Sequence, residues 1–444
     1  MYDIIVVGGR CAGSSTAMLL ARKGYRVLVV DRSTFPSDVL STHFLWPHGA
    51  SYLNRWGVLD RVLESTPSHT DVNLVNEGIS VTGSVPEELV KRYFQQLHGD
   101  GSGVTTRYLS VRRRVLDKIL VDAAIEAGVE FREGANVEEL IYDDDAVAGV
   151  RYRTRDGGRV TERARLVVGA DGRNSFLARA LALPKYDERP RCTFAYWSYY
   201  EGFNLGAAQL HRRGRLTLAV VPTNFGQNMT LVFGPSEWAS DFRRDVPANF
   251  QRAIEYVSPQ IGEIVREQGQ RTERFVGTLD QAAFLRPMYG NGWVLVGDAE
   301  CFKDQCTAIG MTHAFRDAEL AATALDGWLS GEEPVDVALK NYEYRRRSQT
   351  AAAYYDYVCT LAEMRPLRHD ELQMFAMLRG NQPQTDLFIA AYGDVAPVSE
   401  FFDPSNLFLL SDTAEKSSHE HAVFTNFEET YRSYQRNPFA ETTA

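Results

Sequence analysis

The residues best suited to chemistry near the start of the chain form a glycine-rich stretch, Gly8-Gly9-Arg10-Cys11-Ala12-Gly13. Glycines at such a stretch allow a tight turn between a strand and a helix, and the helix N-terminus presents N–H groups to a pyrophosphate. Asp31, about 20 residues further on, can accept hydrogen bonds from a ribose hydroxyl. The spacing therefore predicts a dinucleotide site, with Arg10 at the position of the second glycine. The alternative is an ordinary parallel α/β unit without a ligand.

Two further stretches each lead an apolar run into a glycine and an acid. They are Val168-Gly169-Ala170-Asp171-Gly172-Arg173 and Gly292-Trp293-Val294-Leu295-Val296-Gly297-Asp298-Ala299. Either stretch alone is typical of a plain turn at the end of a strand. The three stretches in this order, and at these separations, make a specific pattern.

The first of these stretches needs a strand–helix–strand unit to position it. The run Asp3–Gly8 suits a buried parallel strand, and Ser14–Lys23 suits a helix that ends at Gly24. Arg26–Asp31 is then predicted to be the second strand, which completes the unit. Later in the chain, Met311–Leu329 has the apolar spacing of a long helix.

The middle of the chain combines a helix with several short strands. Val111–Ala127 is predicted to be helical, and Asp156-Gly157-Gly158 is typical of a hairpin turn. We expect an antiparallel meander inserted before the chain returns to the parallel sheet, formed by the runs Glu130-Phe131, Asn136–Tyr142, Ala146–Thr154 and Arg159–Val168.

A second domain is predicted from Arg191–Val232, which is rich in aromatic and β-branched residues. Strand alternation sends Tyr196 and Ser198 to one face of its sheet and Trp197 and Tyr199 to the other. Within this domain the segment His211–Arg215 is expected to form a solvated turn. Helices are predicted for residues 238–268 and for most of the chain after about residue 334.

The composition sets limits on the class of protein. The 444 residues are 44% hydrophobic and 24% charged, as in globular proteins of more than one domain. The net charge of −10 argues against nucleic acid as a partner. Five scattered cysteines, with no signal peptide and no membrane segment, predict a cytoplasmic protein that does not engage a membrane. No His/Cys cluster has the spacing of a metal site, so we expect no metal.

The three motifs together resemble those of the flavin-dependent aromatic hydroxylases, the group A monooxygenases typified by p-hydroxybenzoate hydroxylase. The resemblance covers about residues 1–330. It implies that Gly8, Gly13 and Asp31 serve the FAD pyrophosphate and ribose. It also implies that Asp171 serves FAD and the nicotinamide cofactor, and that Asp298 contacts the ribityl chain.

The same resemblance extends to residues outside the motif cores. A family arginine that precedes a helix leucine by three residues matches Arg113 before Leu116, although a solvated charge within Arg112–Arg114 is the alternative. The resemblance thus implies an FAD site made of Gly8, Gly9, Arg10, Ala12, Gly13, Asp31, Arg32, Arg113, Val137, Asp171, Asp298, Gly310 and Met311.

After the Gly-Asp motif, this chain departs from the family pattern. The family usually has Pro-x-x-Gly-x-Gly before a helix whose N-terminus faces the flavin pyrimidine edge. Here Gln305 stands at the proline position, and only Gly310 remains of the glycines. The helix itself is still predicted, so we expect its role to be kept.

His43 and Arg10 are the candidate catalytic residues. In the family the loop after the second strand runs near the flavin, so His43 could orient a substrate or act as a base; a structural hydrogen bond is the alternative. We expect Arg10 to face the flavin or its phosphates. Cys301 and Cys306 lie beside the predicted flavin, but small packed residues suit them better than a redox pair.

The fold class implied is α/β: a Rossmann-type FAD-binding domain with an inserted antiparallel β-sheet substrate domain and a C-terminal helical region. We expect the FAD-binding domain in residues 1–74, 105–185 and 276–333. The substrate domain is expected in residues 75–104 and 186–275, and the helical region in residues 334–444.

The resemblance implies an FAD-dependent monooxygenase that uses NADH or NADPH and O2 on an electron-rich aromatic or polycyclic small molecule, as in secondary metabolism. It leaves the protein a monomer or a homodimer. The alternative is a reductase of the geranylgeranyl-reductase type, which acts on double bonds. A halogenase is less favoured, since Trp197-Ser198-Tyr199 does not match that family's Trp-x-Trp-x-Ile-Pro. A non-catalytic flavin-binding protein is a further alternative.

Overall fold

The computed structural model describes residues 1–348, 351–408, 410, 424 and 427–440. The predicted helical region 334–444 therefore lies partly outside the described residues. The strands, β1 to β21 in chain order, are Tyr2–Val7, Val27–Asp31, Phe44–Leu45, Ser68–His69, Val72–Asn76, Ile79–Gly83, Tyr108–Ser110, Glu130–Glu133, Asn136–Asp143, Ala146–Arg153, Arg159–Gly169, Thr193–Glu201, Ala208–Arg213, Leu216–Pro222, Asn228–Pro235, Gln270–Arg271, Val276–Thr278, Phe284–Leu285, Tyr289–Gly290, Trp293–Leu295 and Cys301–Phe302.

Where the structure describes them, the predicted helical segments are helical, but the helices Pro47–Arg55, Leu59–Leu63, Glu87–His98 and Phe176–Ala180 were not predicted. The α-helices are numbered α1 to α17 in chain order. They are Cys11–Ala21, Pro47–Arg55, Leu59–Leu63, Glu87–His98, Arg113–Glu126, Phe176–Ala180, Ala239–Phe242, Val246–Val257, Pro259–Glu267, Gly310–Leu329, Val335–Ser348, Ala351–Ala362, His369–Leu378, Gln382–Tyr392, Val398–Phe401, Pro404–Phe408 and Phe427–Tyr434.

The first sheet is the α/β platform, with the strand order β19-β20-β11-β1-β2-β8. Strands β1, β2, β8, β11 and β20 run parallel. Helix α1 connects β1 to β2, and helix α5 leads into β8, as in crossover connections. Apolar side chains cover both faces of the centre of the platform. Ile4 and Val6 face one core, and Ile5 and Val7 face another. The platform brings the ends of β1, β11 and β20 to one edge.

The predicted meander is present but one strand shorter than expected. β9, β10 and β11 are antiparallel neighbours, whereas Glu130-Phe131 lies in β8 and pairs parallel with β2. Assigning that run to the meander was wrong, because β8 follows the crossover helix α5 and so runs in the direction of the platform strands. β11 belongs to both the meander and the platform. Its residues Arg159–Arg163 pair with β10, and its residues Ala164–Gly169 pair with β1.

The second sheet has the order β16-β12-β15-β14-β13-β5-β6. Helices α8 and α9 pack on the face that carries Phe194 and Tyr200. Trp197 and Tyr199 lie on the other face, within the main core, so the predicted alternation along β12 is confirmed. This face is turned towards the platform and the helices of the C-terminal half.

The hairpin between β13 and β14 is not the solvated turn that the sequence suggested. Arg212 donates to the carbonyl of Arg365, and the Arg215 Nε donates to the Met364 carbonyl at 3.0 Å. The expectation was wrong because a segment about 150 residues away covers the hairpin, and local composition does not report such a contact.

Candidate functional site

A cavity of about 770 Å³ opens where the ends of β1, β11 and β20 meet the second sheet. Its wall includes most of the residues that the sequence assigned to FAD: Gly8, Arg10, Ala12, Asp31, Arg32, Arg113, Val137, Asp171, Asp298, Gly310 and Met311. Gly9 and Gly13 lie directly behind this wall, in the turn that forms it. The fold therefore brings all three motifs to one cavity.

The turn after β1 leaves no room for side chains at its glycines. Gly8 has φ +100°, and a Cβ there would lie 2.6 Å from the Ala170 carbonyl oxygen. A Cβ on Gly13 would lie 1.8 Å from the Gly8 carbonyl oxygen. The backbone can therefore pack helix α1 against the strand end only with glycine at both positions. The N-terminus of α1 consequently opens onto the cavity, as an anion site requires.

Asp31 is fixed at the end of β2 by two backbone donors. Its Oδ2 accepts from the Gly9 N–H at 2.6 Å, and its Oδ1 accepts from the Ser33 N–H at 2.7 Å. The residue is buried yet lines the cavity. Each carboxylate oxygen keeps further lone pairs, so the group can accept a ligand hydroxyl as well.

Asp171 and Asp298 place two more carboxyl groups on the cavity wall. Burial raises the pKa of both above the usual value for aspartate. The Asp171 Oδ2 accepts from the Phe176 N–H at 2.5 Å, but its Oδ1 is buried without a partner. Such an atom requires a hydrogen-bond donor, and hydroxyl and N–H groups of FAD fit that requirement.

Arg10 and Arg113 share one buried acid, Asp117. The Arg10 Nη1 lies 2.5 Å from Asp117 Oδ2, and the Arg113 Nη2 lies 2.9 Å from Asp117 Oδ1. The Arg10 guanidinium also donates to the Ser37 carbonyl oxygen at 3.3 Å and to the Ser37 hydroxyl oxygen at 3.0 Å. Arg113 is therefore not a solvated charge. Asp117 was not predicted as a site residue, although its position four residues after Arg113 in α5 was a usable signal.

The loop between β21 and α10 keeps its turn without the usual glycines. Ala308, which stands where a family glycine would, has φ 53°. Asp304 begins the loop: its Oδ1 accepts from the Cys306 N–H at 3.0 Å, and its Oδ2 accepts from the Thr193 hydroxyl at 2.6 Å. Burial raises the pKa of Asp304 to about 6. Helix α10 then begins at Gly310, on the cavity wall.

His43 is buried next to the cavity wall, which its neighbour Thr42 helps to form. Its φ is 59°, and its Nε2 forms a hydrogen bond with the Tyr199 hydroxyl. Its Nδ1 is buried without a partner. Burial lowers the pKa of His43 to about 3, so the ring is neutral at physiological pH. That pKa makes His43 a weak base and suits it to a neutral hydrogen bond.

Arg112 connects the loop before β3 to the second domain. Its guanidinium lies 2.5 Å from Asp38 Oδ2 and 2.5 Å from Glu273 Oε1, and it covers the Tyr199 ring at 3.9 Å. The side chain is only 2% exposed. The role of Arg112 was not predicted, because its partners lie 74 and 161 residues away along the chain.

The cysteines of the chain are all free. The Lys303 Nζ donates to the Cys301 Sγ at 3.3 Å, and the Cys306 Sγ donates to the Val358 carbonyl at 3.7 Å. The packing interpretation of the two loop cysteines accords with these contacts. No described helix is long and apolar enough to cross a bilayer.

A Rossmann-type platform with three nucleotide motifs on one cavity, covered by a second sheet, defines an FAD-dependent oxidoreductase. The family model described as "FAD binding domain" matches residues 1–356, and the chain belongs to this family, that of the group A flavin monooxygenases. The family resemblance and the predicted fold class are both confirmed. The domain boundaries and the roles of the individual site residues stay predictions.

Characterised relatives of several activities are similar to the chain. A 1H-pyrrole-2-carbonyl-[peptidyl-carrier protein] brominase of Pseudoalteromonas luteoviolacea is 24% identical over 75% of this chain and 79% of the relative. A tryptophan 2-halogenase of Chondromyces crocatus is 23% identical over 93% of this chain and 79% of the relative. A digeranylgeranylglycerophospholipid reductase of Methanopyrus kandleri is 25% identical over 78% and 85%.

Solved structures share the fold. The flavin-dependent brominase Bmp2 superposes with a TM-score of 0.71 at 19% identity, over 98% of this chain and 100% of that chain. PqsL of Pseudomonas aeruginosa, in complex with 2-aminobenzoylacetate, superposes with a TM-score of 0.67 at 22% identity, over 85% and 99%. At these identities the likeness shows the fold alone.

Proposed function

We propose that the protein is a monooxygenase that takes electrons from NADH or NADPH and oxygenates an electron-rich aromatic or polycyclic small molecule. One observation carries the proposal. The cavity that holds the three nucleotide motifs continues to Thr278 in β17 of the second sheet, to Gln281 shortly after it, and to the start of α10. A substrate can therefore reach the cofactor between the two domains, out of bulk water.

FAD, when bound in this cavity, supplies electron transfer and the activation of O2. The chain contributes binding and electrostatics. The turn at Gly8 and the N-terminus of α1 bind the pyrophosphate, and Asp31 accepts a ribose hydroxyl. The N-terminus of α10 at Gly310 places a positive dipole end on the cavity and so favours negative charge on the ligand there.

His43 is proposed to position the reactants and not to take a proton. Its neutral ring is held by Tyr199, and Tyr199 lies against the Arg112 guanidinium. NAD(P)H, O2 and one small substrate are the proposed partners, in a monomer or homodimer that does not bind nucleic acid.

Halogenation is the second candidate, because the brominase and the tryptophan 2-halogenase are among the relatives. Lys303 lines the cavity and could provide the lysine that such a reaction requires. The Trp-x-Trp-x-Ile-Pro sequence remains unmatched at Trp197-Ser198-Tyr199, which places oxygenation first.

One experiment separates these activities. The FAD-loaded protein is incubated with NADH or NADPH, bromide and a panel of phenols, indoles and polycyclic aromatics under isotopically heavy O2, and products are analysed by mass spectrometry. Incorporation of one heavy oxygen atom supports the proposal. A brominated product supports the second candidate, and addition of two hydrogens without oxygen identifies a reductase. Bound flavin that accepts no electrons from NADH or NADPH contradicts the nicotinamide-dependent mechanism.

A further inference from the structure

Gln305 provides a polar side chain where the related proteins usually have proline. It lines the cavity, on the loop between β21 and α10. Its side-chain amide nitrogen is buried and has no hydrogen-bond partner. Because leaving a buried amide donor unpaired is costly, this atom requires an acceptor.

The neighbouring polar groups do not supply that acceptor. The Asp304 carboxylate accepts from the Thr193 hydroxyl and from the Cys306 N–H. The Gln281 Oε1 accepts from the backbone N–H of Gln305 at 3.4 Å, and its Nε2 donates to Thr193 at 2.8 Å. The Gln305 amide nitrogen donates to none of these groups.

The backbone around Gln305 is held in place by hydrogen bonds. Its carbonyl accepts from the Ala308 N–H at 2.9 Å, which closes a 3₁₀ turn over Gln305–Thr307. The Trp46 indole donates to the Thr307 carbonyl at 3.0 Å from the other side. Two residues after Ala308 the α10 helix begins on the cavity wall, so the turn and the helix N-terminus lie at the same end of the cavity.

We infer that the Gln305 amide donates a hydrogen bond to an acceptor atom on the ring system of bound FAD. Gly8 and Asp31 lie at the ends of the platform strands β1 and β2, whereas Gln305 lies in the turn before α10. We therefore assign the pyrophosphate to the strand ends and the ring system to the turn. A proline at this position could not form this contact. The inference rests on FAD binding and does not depend on the oxygenation proposed above.

The test replaces the side chain without changing its size. Gln305→Met removes the donor, and Gln305→Glu replaces it with an acceptor; Gln268→Met, at an exposed helix end, is the matched control. Each protein is freed of flavin and titrated with FAD, and the absorbance and midpoint potential of the bound flavin are recorded. Thermal unfolding of each flavin-free variant reports whether the chain has folded.

For Gln305→Met we expect FAD affinity to fall about 3- to 10-fold, which corresponds to one hydrogen bond. The flavin absorbance should shift and its potential should become more negative, because a donor to the ring stabilises the reduced form. Gln305→Glu should lose more affinity. If the methionine variant does not fold, the glutamate variant decides the question by the same three measurements.

The inference is overturned if Gln305→Met matches the wild type and Gln268→Met in affinity, spectrum and potential. It is also overturned if only the spectral response to an aromatic probe, benzoate, changes, since the donor would then serve a substrate. Wild-type protein that does not bind FAD would instead contradict the assignment of the cavity itself. Normal flavin contacts with no oxygenated product would remove only the proposed function.

Discussion

Arg10 is the residue at which this chain departs most from the usual phosphate-binding turn. Its guanidinium pairs with the buried Asp117 while its side chain forms part of the cavity wall. We expect Arg10→Met to weaken FAD binding about tenfold or more, as for the loss of a charge-assisted hydrogen bond. Fluorescence titration with FAD measures this, with the exposed Arg26→Met as control. An unchanged dissociation constant would refute a role for Arg10 at the phosphates.

Asp304 should make the free energy of unfolding depend on pH. Burial raises its pKa from 3.8 to about 6 in the folded chain. A raised carboxyl pKa means that the folded state loses stability as pH rises from below the unfolded value to above the folded one. Asp304→Asn removes this penalty. The free energy of unfolding of the variant, relative to wild type, should therefore increase by about 1 kcal/mol between pH 5 and pH 7.5.

Urea titrations at several pH values provide this measurement. The substitution also removes or alters the two hydrogen bonds of Asp304. This changes the free energy of unfolding by an amount that does not depend on pH, so only the change with pH is informative. A difference that stays constant from pH 5 to pH 7.5 would show that the carboxyl keeps an ordinary pKa.

The residues of the site divide into those that the sequence could reveal and those that it could not. Gly8, Gly13, Asp31, Asp171 and Asp298 belong to short local patterns, in which spacing alone carries the information. Arg112, by contrast, acts through partners in a distant loop and in the second sheet. A single sequence shows its charge but not the acids that neutralise it.

At the scale of elements, Arg112 stands at the start of helix α5 and connects the loop before β3 to the second domain. Replacing it by methionine leaves Asp38 and Glu273 without their shared cation. These carboxylates are 35% and 38% exposed, so solvent compensates in part. We expect Arg112→Met to lower the free energy of unfolding by about 1–3 kcal/mol and to weaken FAD binding.

Thermal unfolding and FAD titration, carried out together, test this expectation. Arg114→Met is the matched control, because Arg114 lies on the same helix turn and its cation covers only the exposed Phe225 ring. If the two variants had the same stability and the same FAD affinity, the ion pairs of Arg112 would not hold these elements together.

Ala308 shows how an element can keep its geometry after its motif has changed. With φ 53°, it holds the left-handed conformation that the family gives to glycine. Because this conformation costs an L-residue about 1 kcal/mol, we expect Ala308→Gly to stabilise the chain by up to that amount. Urea unfolding measures it, and Ala314→Gly, inside α10, should destabilise by a similar amount. A destabilised Ala308→Gly would contradict the interpretation.

The lost glycine explains why sequence reasoning was weaker for this loop than for the first turn. The pattern of residue types had changed while the backbone had not. Similarly, the run Glu130-Phe131 looked like its antiparallel successors, and only the crossover through α5 determined that it joined the platform. Local sequence patterns identify helices and strands well. Which strands pair with each other depends on the path that the chain takes between them.

At the scale of the whole molecule, one ligand is expected to hold several parts of the chain together. The cavity wall draws on the platform, the loop before α10 and the second domain. A ligand that binds only the folded state stabilises it by mass action, about 2.7 kcal/mol at a concentration 100 times the dissociation constant. We therefore expect FAD to raise the unfolding temperature, and to raise it progressively with concentration.

Differential scanning calorimetry of the flavin-free protein with increasing FAD tests this point. Adenosine diphosphate should give a smaller increase, because it reaches the pyrophosphate turn without engaging the loop end of the cavity. Equal increases with the two ligands would show that the isoalloxazine end of FAD contributes nothing to binding.

The residues that line the cavity are spread widely along the chain, and this has a consequence for biosynthesis. The wall begins at Val7 and is completed only by Ala314. At roughly 5–20 residues per second, a ribosome needs roughly 15–60 s to pass from the first of these residues to the last. A nascent chain shorter than this has the phosphate turn but no enclosure for the ring. The complete FAD site can therefore form only after Ala314 has been synthesised.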